Sequence, residues 1–412
     1  MRKEKCARYD VFNNVLTVVK VIYQKQKKVK LTNEVIANDL YCSQSSLCEY
    51  RKNTRSISYE FIDQMVWHYT KLHFDAKDET ETLLKKEYFR ILDLFLQTKT
   101  DTAYQEAKHV LTNYQYLFSN GINYYLMLYA LVKIYENDEH FLKVSDRYYL
   151  EELLLYNEQR LFYQVLMAIN LNIIHNTLQS NPYLLAPKDE LLYSNKDENI
   201  AVLALYQLLI NQTNCLDEAS NTSLVPSHIF YDLGYINFSF LAQCNELYIA
   251  SVQLQFAKIY HYLIKLSRFK NQSTYEVGKN CYFWLVAFVR LIYQKQFTLE
   301  VALPKEIEAL FDDKEYHEFL DNSLHNFRNY TLAQQNEIVL NYILGVDSYR
   351  RYKLRLHDLT VDEVLTDPAL KNGCKVLMLR LMYDLHQDDA IVSEDIKTTV
   401  KRLLCLSLTQ LD

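Results

Sequence analysis

The chain has 412 residues, 49% hydrophobic and 23% charged, with a net charge of −6, enough apolar content for two or three domains or one continuous helical array. Its five Gly and five Pro fall far below the usual ~7% and ~5%, too few for the turns of strand-rich folds. The glycines, Gly121, Gly234, Gly278, Gly345 and Gly373, stand alone, so no G-x-G-x-x-G, phosphate-cradling loop or G-x-S-x-G turn can be written, which sets aside most nucleotide-dependent enzymes and the common serine hydrolases.

Few breakers and long apolar-polar segments predict an all-α fold. In chain order, Val11, Phe12, Val15, Leu16, Val18, Val19 and Ile22 recur at helical spacing, and the polar stretch 24–30 is expected to break that helix. Thr32 or Asn33 caps a short second helix with Ile36, Ala37 and Leu40 on one face, since a side-chain oxygen at the cap accepts from a free N–H of the first turn. Ser43 caps a third, in which Leu47 and Tyr50 or Arg51 turn inward, and Asn53 suits a left-handed stop. A fourth begins at Ser58, with Phe61, Ile62, Met65, Val66 and Tyr69 as its apolar stripe.

Charge is uneven along the chain. Residues 1–70 hold 12 Lys and Arg against 7 Asp and Glu, a net +5, so residues 71–412 sum to −11. A basic head on an acidic body suits a head that meets phosphate, although Lys25, Lys27, Lys28 and Lys30 also read as a solvated loop.

Two short helices joined by a tight turn and braced on both sides describe a helix-turn-helix. The segment LTNEVIANDLYCSQSSLCEYRKNTRSISYEFIDQM resembles the phage-repressor (Xre or Cro/C1) class. The small Ala37, the Ser43-Gln44-Ser45 opening and the basic, Asn-containing loop after it carry the likeness. Tyr41 stands where that class usually has Gly, and the basic segment 24–30 is longer than usual. The resemblance covers about 60 residues and implies that Gln44, Ser45 and Glu49 read base edges in double-stranded DNA. It implies that Asn33, Ser43, Lys52, Asn53 and Arg55 grip phosphates. The chemistry agrees: Gln bonds adenine bidentately, Glu accepts from cytosine N4, and polar groups at helix starts favour phosphate oxygens.

Behind this head, assigned to residues 1–74, residues 75–412 read as a helical-repeat domain of about fifteen helices of 12–22 residues. Breaks are expected near 98–101, 120–121, 137–138, 179–187, 214–226, 270–273, 303–304, 345–346 and 367–368. Helices pair as 102–118 with 121–136 and 139–155 with 158–178, a spacing close to the 34-residue tetratricopeptide (TPR) unit. Ala107, Tyr114, Ala130 and Tyr135 faintly echo that repeat; an irregular bundle is the alternative. The 35 tyrosines read as helix-seam packing, or as pockets along a concave peptide groove. Asn172 and Asn176, four apart on one face, and Asn237 and Gln243 are the amides assigned to holding a peptide backbone.

A phage-repressor-type head on a TPR-like body resembles the peptide-pheromone receptors of low-GC Gram-positive bacteria, the RRNPP (Rgg, PlcR, NprR, PrgX) regulators. That resemblance implies a cytoplasmic homodimer whose body binds a short signalling peptide that alters DNA binding in transcription regulation. The alternative is a helical scaffold that sequesters a protein partner without reading DNA.

No catalytic chemistry is expected. The eight cysteines form no C-x-x-C pair, the eleven histidines no H-E-x-x-H, and acidic neighbours such as Glu151-Glu152, Asp312-Asp313 and Asp388-Asp389 diverge by about 100° on a helix. Cys42 and Cys48 read as packing thiols rather than a redox switch. No cofactor, metal or membrane span is assigned: the longest apolar stretch, 281–289, is stopped by Arg290, far short of the ~20 residues that cross a bilayer.

Overall fold

The computed structural model describes residues 6–136, 157–175, 197–214, 225–293, 304–324 and 327–408. The fold is all-α: among the described residues the one β-ladder is a two-residue antiparallel pair, Cys6–Ala7 against Ile57–Ser58. No described helix is long and apolar enough to cross a membrane. The chain forms two compact units, Met1–Asn170 with Pro182–Tyr206, and Leu171–Asn181 with Gln207–Asp412.

In the first unit, α1 (Tyr9–Lys27) buries Val11, Phe12, Val15, Leu16 and Val19 on one stripe. It ends inside the polar stretch 24–30, where the break is expected. The 24–27 stretch continues the helix because Gln and Lys are good helix formers when solvated, and the end comes at Lys28 in the left-handed region (φ 59°). Helices α2 (Asn33–Asp39), α3 (Gln44–Arg51) and α4 (Tyr59–Thr70) follow. Thr32, Ser43 and Ser58 cap them by accepting from the N–H groups of Val35, Ser46 and Phe61. Helix α1 packs on α3 and α4, and α2 on α3. Tyr50 joins the layers, its ring edge-on to Phe12 at 6.0 Å and tilted against Phe61 at 5.7 Å.

Three further helices, α5 (Asp78–Leu96), α6 (Thr100–Leu111) and α7 (Ile122–Tyr135), pack on one another. The helix expected over 102–118 ends at Leu111. Asn113 accepts from the Gln115 N–H at 3.2 Å and opens a 3-10 turn, Tyr114–Phe118, the competition with helix geometry that short amide side chains offer. Helix α7 is buried on nearly every side and is the core of this unit. Gly121 sets its approach to α5: a Cβ there would lie 2.6 Å from Leu84 Cδ1 and 3.3 Å from Glu81 Cα.

The 1–74 segment lies within this unit and is fastened to the helices after it. Arg8 donates to the Glu81 carboxylate at 2.7 Å and to the Asn120 carbonyl at 3.2 Å. The buried Asn14 amide donates to Asn123, α1 packs on α7, and the Asp75 N–H donates to the Phe118 carbonyl at 2.8 Å. The expected helix 139–155 lies outside the described residues. Helices α8 (Asn157–His175) and α9 (Asp197–Asn214) contain the boundary between units.

The second unit comprises α10 (Pro226–Asp232), α11 (Ile236–Gln253), α12 (Phe256–Phe269), α13 (Glu276–Ile292), α14 (Lys305–Phe311), α15 (Lys314–Leu324), α16 (Leu332–Leu344), α17 (Val346–Lys353), α18 (Val361–Thr366), α19 (Asn372–Leu385) and α20 (Ala390–Leu408). Pro226 takes the first helical turn of α10, where its missing N–H costs nothing. Several of these helices are shorter than the 12–22 residues expected. Helix α11 is central, packed by α10, α12, α13 and α19. Gly373 lets α19 touch its end: a Cβ there would lie 2.6 Å from the Ser251 carbonyl oxygen. On α19, Arg380 is 2% exposed and donates to the carbonyls of Leu291 and Ile292, satisfying the last turn of α13. Burial pushes its guanidinium down to about 10.

Candidate nucleic-acid interface

The turn between α2 and α3 is closed by the backbone itself. The Cys42 N–H donates to the Ala37 carbonyl at 2.9 Å and the Leu40 N–H to Ile36 at 3.0 Å. Tyr41 takes the left-handed conformation (φ 53°) and is 98% exposed. Its position does the work of a glycine with a side chain that meets nothing, at a cost of roughly 1–2 kcal/mol. From α4, the Tyr69 hydroxyl donates to Asp39 at 2.9 Å and fixes the end of α2. Burial, then Asp39, raises the Tyr69 phenol well above its ordinary value, so it stays a donor.

Helix α3 buries Leu47 alone and leaves Gln44, Ser45 and Glu49 exposed. Ser43 spends its oxygen on the cap and lies 2.8 Å from the hydroxyls of Ser45 and Ser46. Asn53 ends the segment in the left-handed region (φ 57°) as expected, its N–H donating to the Tyr50 carbonyl at 3.2 Å. Arg55 folds back over α3. Its Nη1 donates to Ser46 Oγ at 3.0 Å and lies 3.6 Å from the Glu49 carboxylate, with the guanidinium 5.6 Å from the Tyr50 ring centroid. Glu49 therefore holds a partner of its own, one that a base edge would have to displace.

Asn33 is half-buried, and its Oδ1 accepts from Lys20 Nζ at 2.6 Å. Both border a cleft of ≈580 Å³ between α1 and the starts of α2 and α3, whose rim also carries Lys30, Gln44 and Arg51. Sequence reading did not assign Lys20 or Arg51. Lys20 lies on α1, a helix read as a brace, and a polar position on the outer face of a brace carries no signal of what it will border. Of the two candidates for the inward position after Leu47, Tyr50 packs inward against Phe12 and Phe61 and Arg51 is exposed. Lys20, Lys30, Arg51, Lys52 and Arg55 thus surround the exposed face of α3 and its entrance. Cys42 is partly buried, and that burial raises its thiol, which favours a protonated packing group over a redox thiolate.

The four amides assigned to a peptide fare differently. Asn237 accepts from Ser273 Oγ at 3.0 Å and the Thr274 N–H at 3.1 Å, and its Nδ2 donates to Thr274 Oγ1 at 3.3 Å. It staples the start of α11 to the loop before α13. Gln243 is buried and lines a cavity of the second unit. Asn172 lies on α8 with its side chain outside what the structure describes, and Asn176 lies outside the described residues. No metal-binding cluster of His, Cys, Asp or Glu occurs among the described residues. No protein-family model, curated protein or solved structure matches this chain.

Proposed function

We propose that this chain is a sequence-specific DNA-binding transcription regulator. In this reading α2 and α3 are a helix-turn-helix of the phage-repressor type, and the TPR-like helical body binds a short signalling peptide that modulates DNA binding. The observation that carries it is the exposed α3 face, Gln44, Ser45 and Glu49, with five cationic side chains around it. With its side chains an α-helix is about 10–12 Å across, a fit to a major groove about 12 Å wide. Two heads on a homodimer read half-sites about 34 Å apart, or a multiple of it. The fastening of α1 to α5 and α7 supports a head that follows movements of the helices behind it.

The test is selection from random duplexes by the full-length chain at moderate salt, with and without a peptide fraction from the producing cells. Enrichment of one motif, changed by the peptides, is the expected outcome. A pool that stays random under both conditions overturns the reading in favour of the scaffold alternative.

A further inference from the structure

The second unit holds a cavity of ≈540 Å³ bounded by α10, α11 and α12, within the ~300–1,000 Å³ usual for small-molecule sites. Its floor is polar and buried, with Ser227 1% and Gln243 3% exposed. Ile264 and Phe269 form an apolar wall, while Lys265, Arg268, His228 and His261 ring the mouth beside a single carboxylate, Asp232. Lys265 and Arg268 make no ion pair among the described residues. Glu246, on α11, is engaged by Ser227, whose hydroxyl donates to it at 2.8 Å.

Gln243 is the feature that points to a ligand. The Ser239 hydroxyl donates its one proton to the Ser227 carbonyl at 2.8 Å, so towards Gln243 it can only accept, and Gln243 Nε2 donates to it at 3.3 Å. This fixes which way the amide faces. Its other end, Oε1, is then a buried acceptor with no hydrogen-bond partner among the described residues. Native interiors leave few such groups, and the Gln243 side chain that carries it lines a cavity whose two mouth cations make no ion pair among the described residues.

We propose that the cavity binds a free carboxylate that carries an amide N–H a few bonds away, the chemistry shared by the terminal residue of a peptide and an N-acylated amino acid. Lys265 and Arg268 take the carboxylate, Gln243 Oε1 accepts from the amide N–H, and an apolar side chain lies against Ile264 and Phe269. Inorganic phosphate would satisfy the cations and leave Gln243 without a donor. The inference rests on reading the helical body as peptide-binding, and names where and by which end such a ligand is held.

The experiment is calorimetric and ligand-observed NMR titration of the full chain with N-acetylphenylalanine, N-acetylphenylalaninamide and inorganic phosphate. Saturable binding of the first is expected, with the other two at least about tenfold weaker, in keeping with the loss of a charge-assisted contact. Lys265→Ala/Arg268→Ala and Gln243→Met should each weaken N-acetylphenylalanine about tenfold. Gln243→Met should keep or raise Tm, because it removes the unsatisfied oxygen at nearly constant volume, so lost binding is separable from lost folding. The proposal is overturned if no probe binds, if phosphate or the amide binds as well as the carboxylate, or if Gln243→Met binds as wild type. Should N-acetylphenylalanine bind as expected while peptides leave DNA binding unchanged, the regulator reading falls and the site stands. Should peptides alter DNA binding while no probe binds, the site falls alone.

Discussion

Removing Lys52 and Arg55 together separates gripping DNA from reading it. Arg55 and Glu49 are 55% and 50% exposed at 3.6 Å, so their pairing is worth no more than ~1 kcal/mol and Arg55 can leave for a phosphate at little cost. Each phosphate contact contributes about 0.9 to the slope of log K against log salt. Two lost contacts per head lower the slope by about 1.8, and by about 3.6 for two heads. Between 50 and 200 mM salt, wild type should therefore lose about tenfold more affinity per head than Lys52→Ala/Arg55→Ala, and about a hundredfold more as a dimer. Gln44→Ala should behave in the opposite way. It should keep the slope and lose ~1–3 kcal/mol of discrimination at one base pair, with other positions of the motif unaffected. Fluorescence anisotropy on the selected duplex and its single-base variants, across a salt series, measures both. Equal slopes for wild type and the double variant, with Gln44→Ala costing the same on every duplex, would refute the assignment of these roles to α3 and its loop.

Three further outcomes follow from the packing. Ser43→Ala deletes the cap on the Ser46 N–H, 3.0 Å away, and should cost ~1 kcal/mol, visible as faster hydrogen exchange at the first turn of α3 and restored by Ser43→Asp; unchanged exchange would show the cap to be idle. Gly121→Ala drives a methyl to 2.6 Å from Leu84 Cδ1 and should destabilise the first unit by ~1–3 kcal/mol in chemical denaturation, with less than additive loss when Leu84→Ala is added; a change within about 0.3 kcal/mol would mean that α5 and α7 are not in close contact there. Lys270 bonds Asp313 at 3.0 Å and lies 2.7 Å from Glu315. Burial pulls its amine down, but the Glu315 and Asp313 carboxylates leave it above its ordinary 10.5. Burial likewise raises Asp313, but Lys270 and the Tyr316 N–H hold it below 3.8. The stabilisation is therefore complete between those values, lost as pH falls through the depressed carboxyl or rises through the raised amine. The Tm gap between wild type and Lys270→Met should be widest at neutral pH and close at both extremes, whereas a pH-independent gap would point to packing against Phe283 alone.

Local chemistry made much of the helical framework legible before any packing was known. Scarce glycine and proline left helices as the fold class, and the breaks at Gly121, Lys270, Pro304, Gly345 and Asp367 fall where helices end or begin. Thr32, Ser43, Ser58 and Asn53 act as the caps and stop that their side chains favour. Each of these choices is settled by a residue and its immediate neighbours. Other choices needed the third dimension. Leu254 ends α11 in the left-handed region (φ 59°) although it is not glycine, because its side chain is fully buried and that burial, worth roughly 1.5–3 kcal/mol, outweighs the strain of roughly 1–2 kcal/mol. Arg380 reads as a surface charge in one dimension and is a buried bracket on the end of α13. Asn237 and Gln243 share a helix and a chemistry, yet one staples a loop and the other faces a cavity with an oxygen to spare. Lys20 meets Asn33 only because α1 lies across the start of α2. The sequence by itself determined the helical fold class, the caps that start the short helices of the head and the apolar face each turns inward, since those depend on contacts within a few residues. Only the tertiary structure decided which polar side chains are consumed in holding helices together and which remain to meet a ligand, because that depends on neighbours far away in the chain.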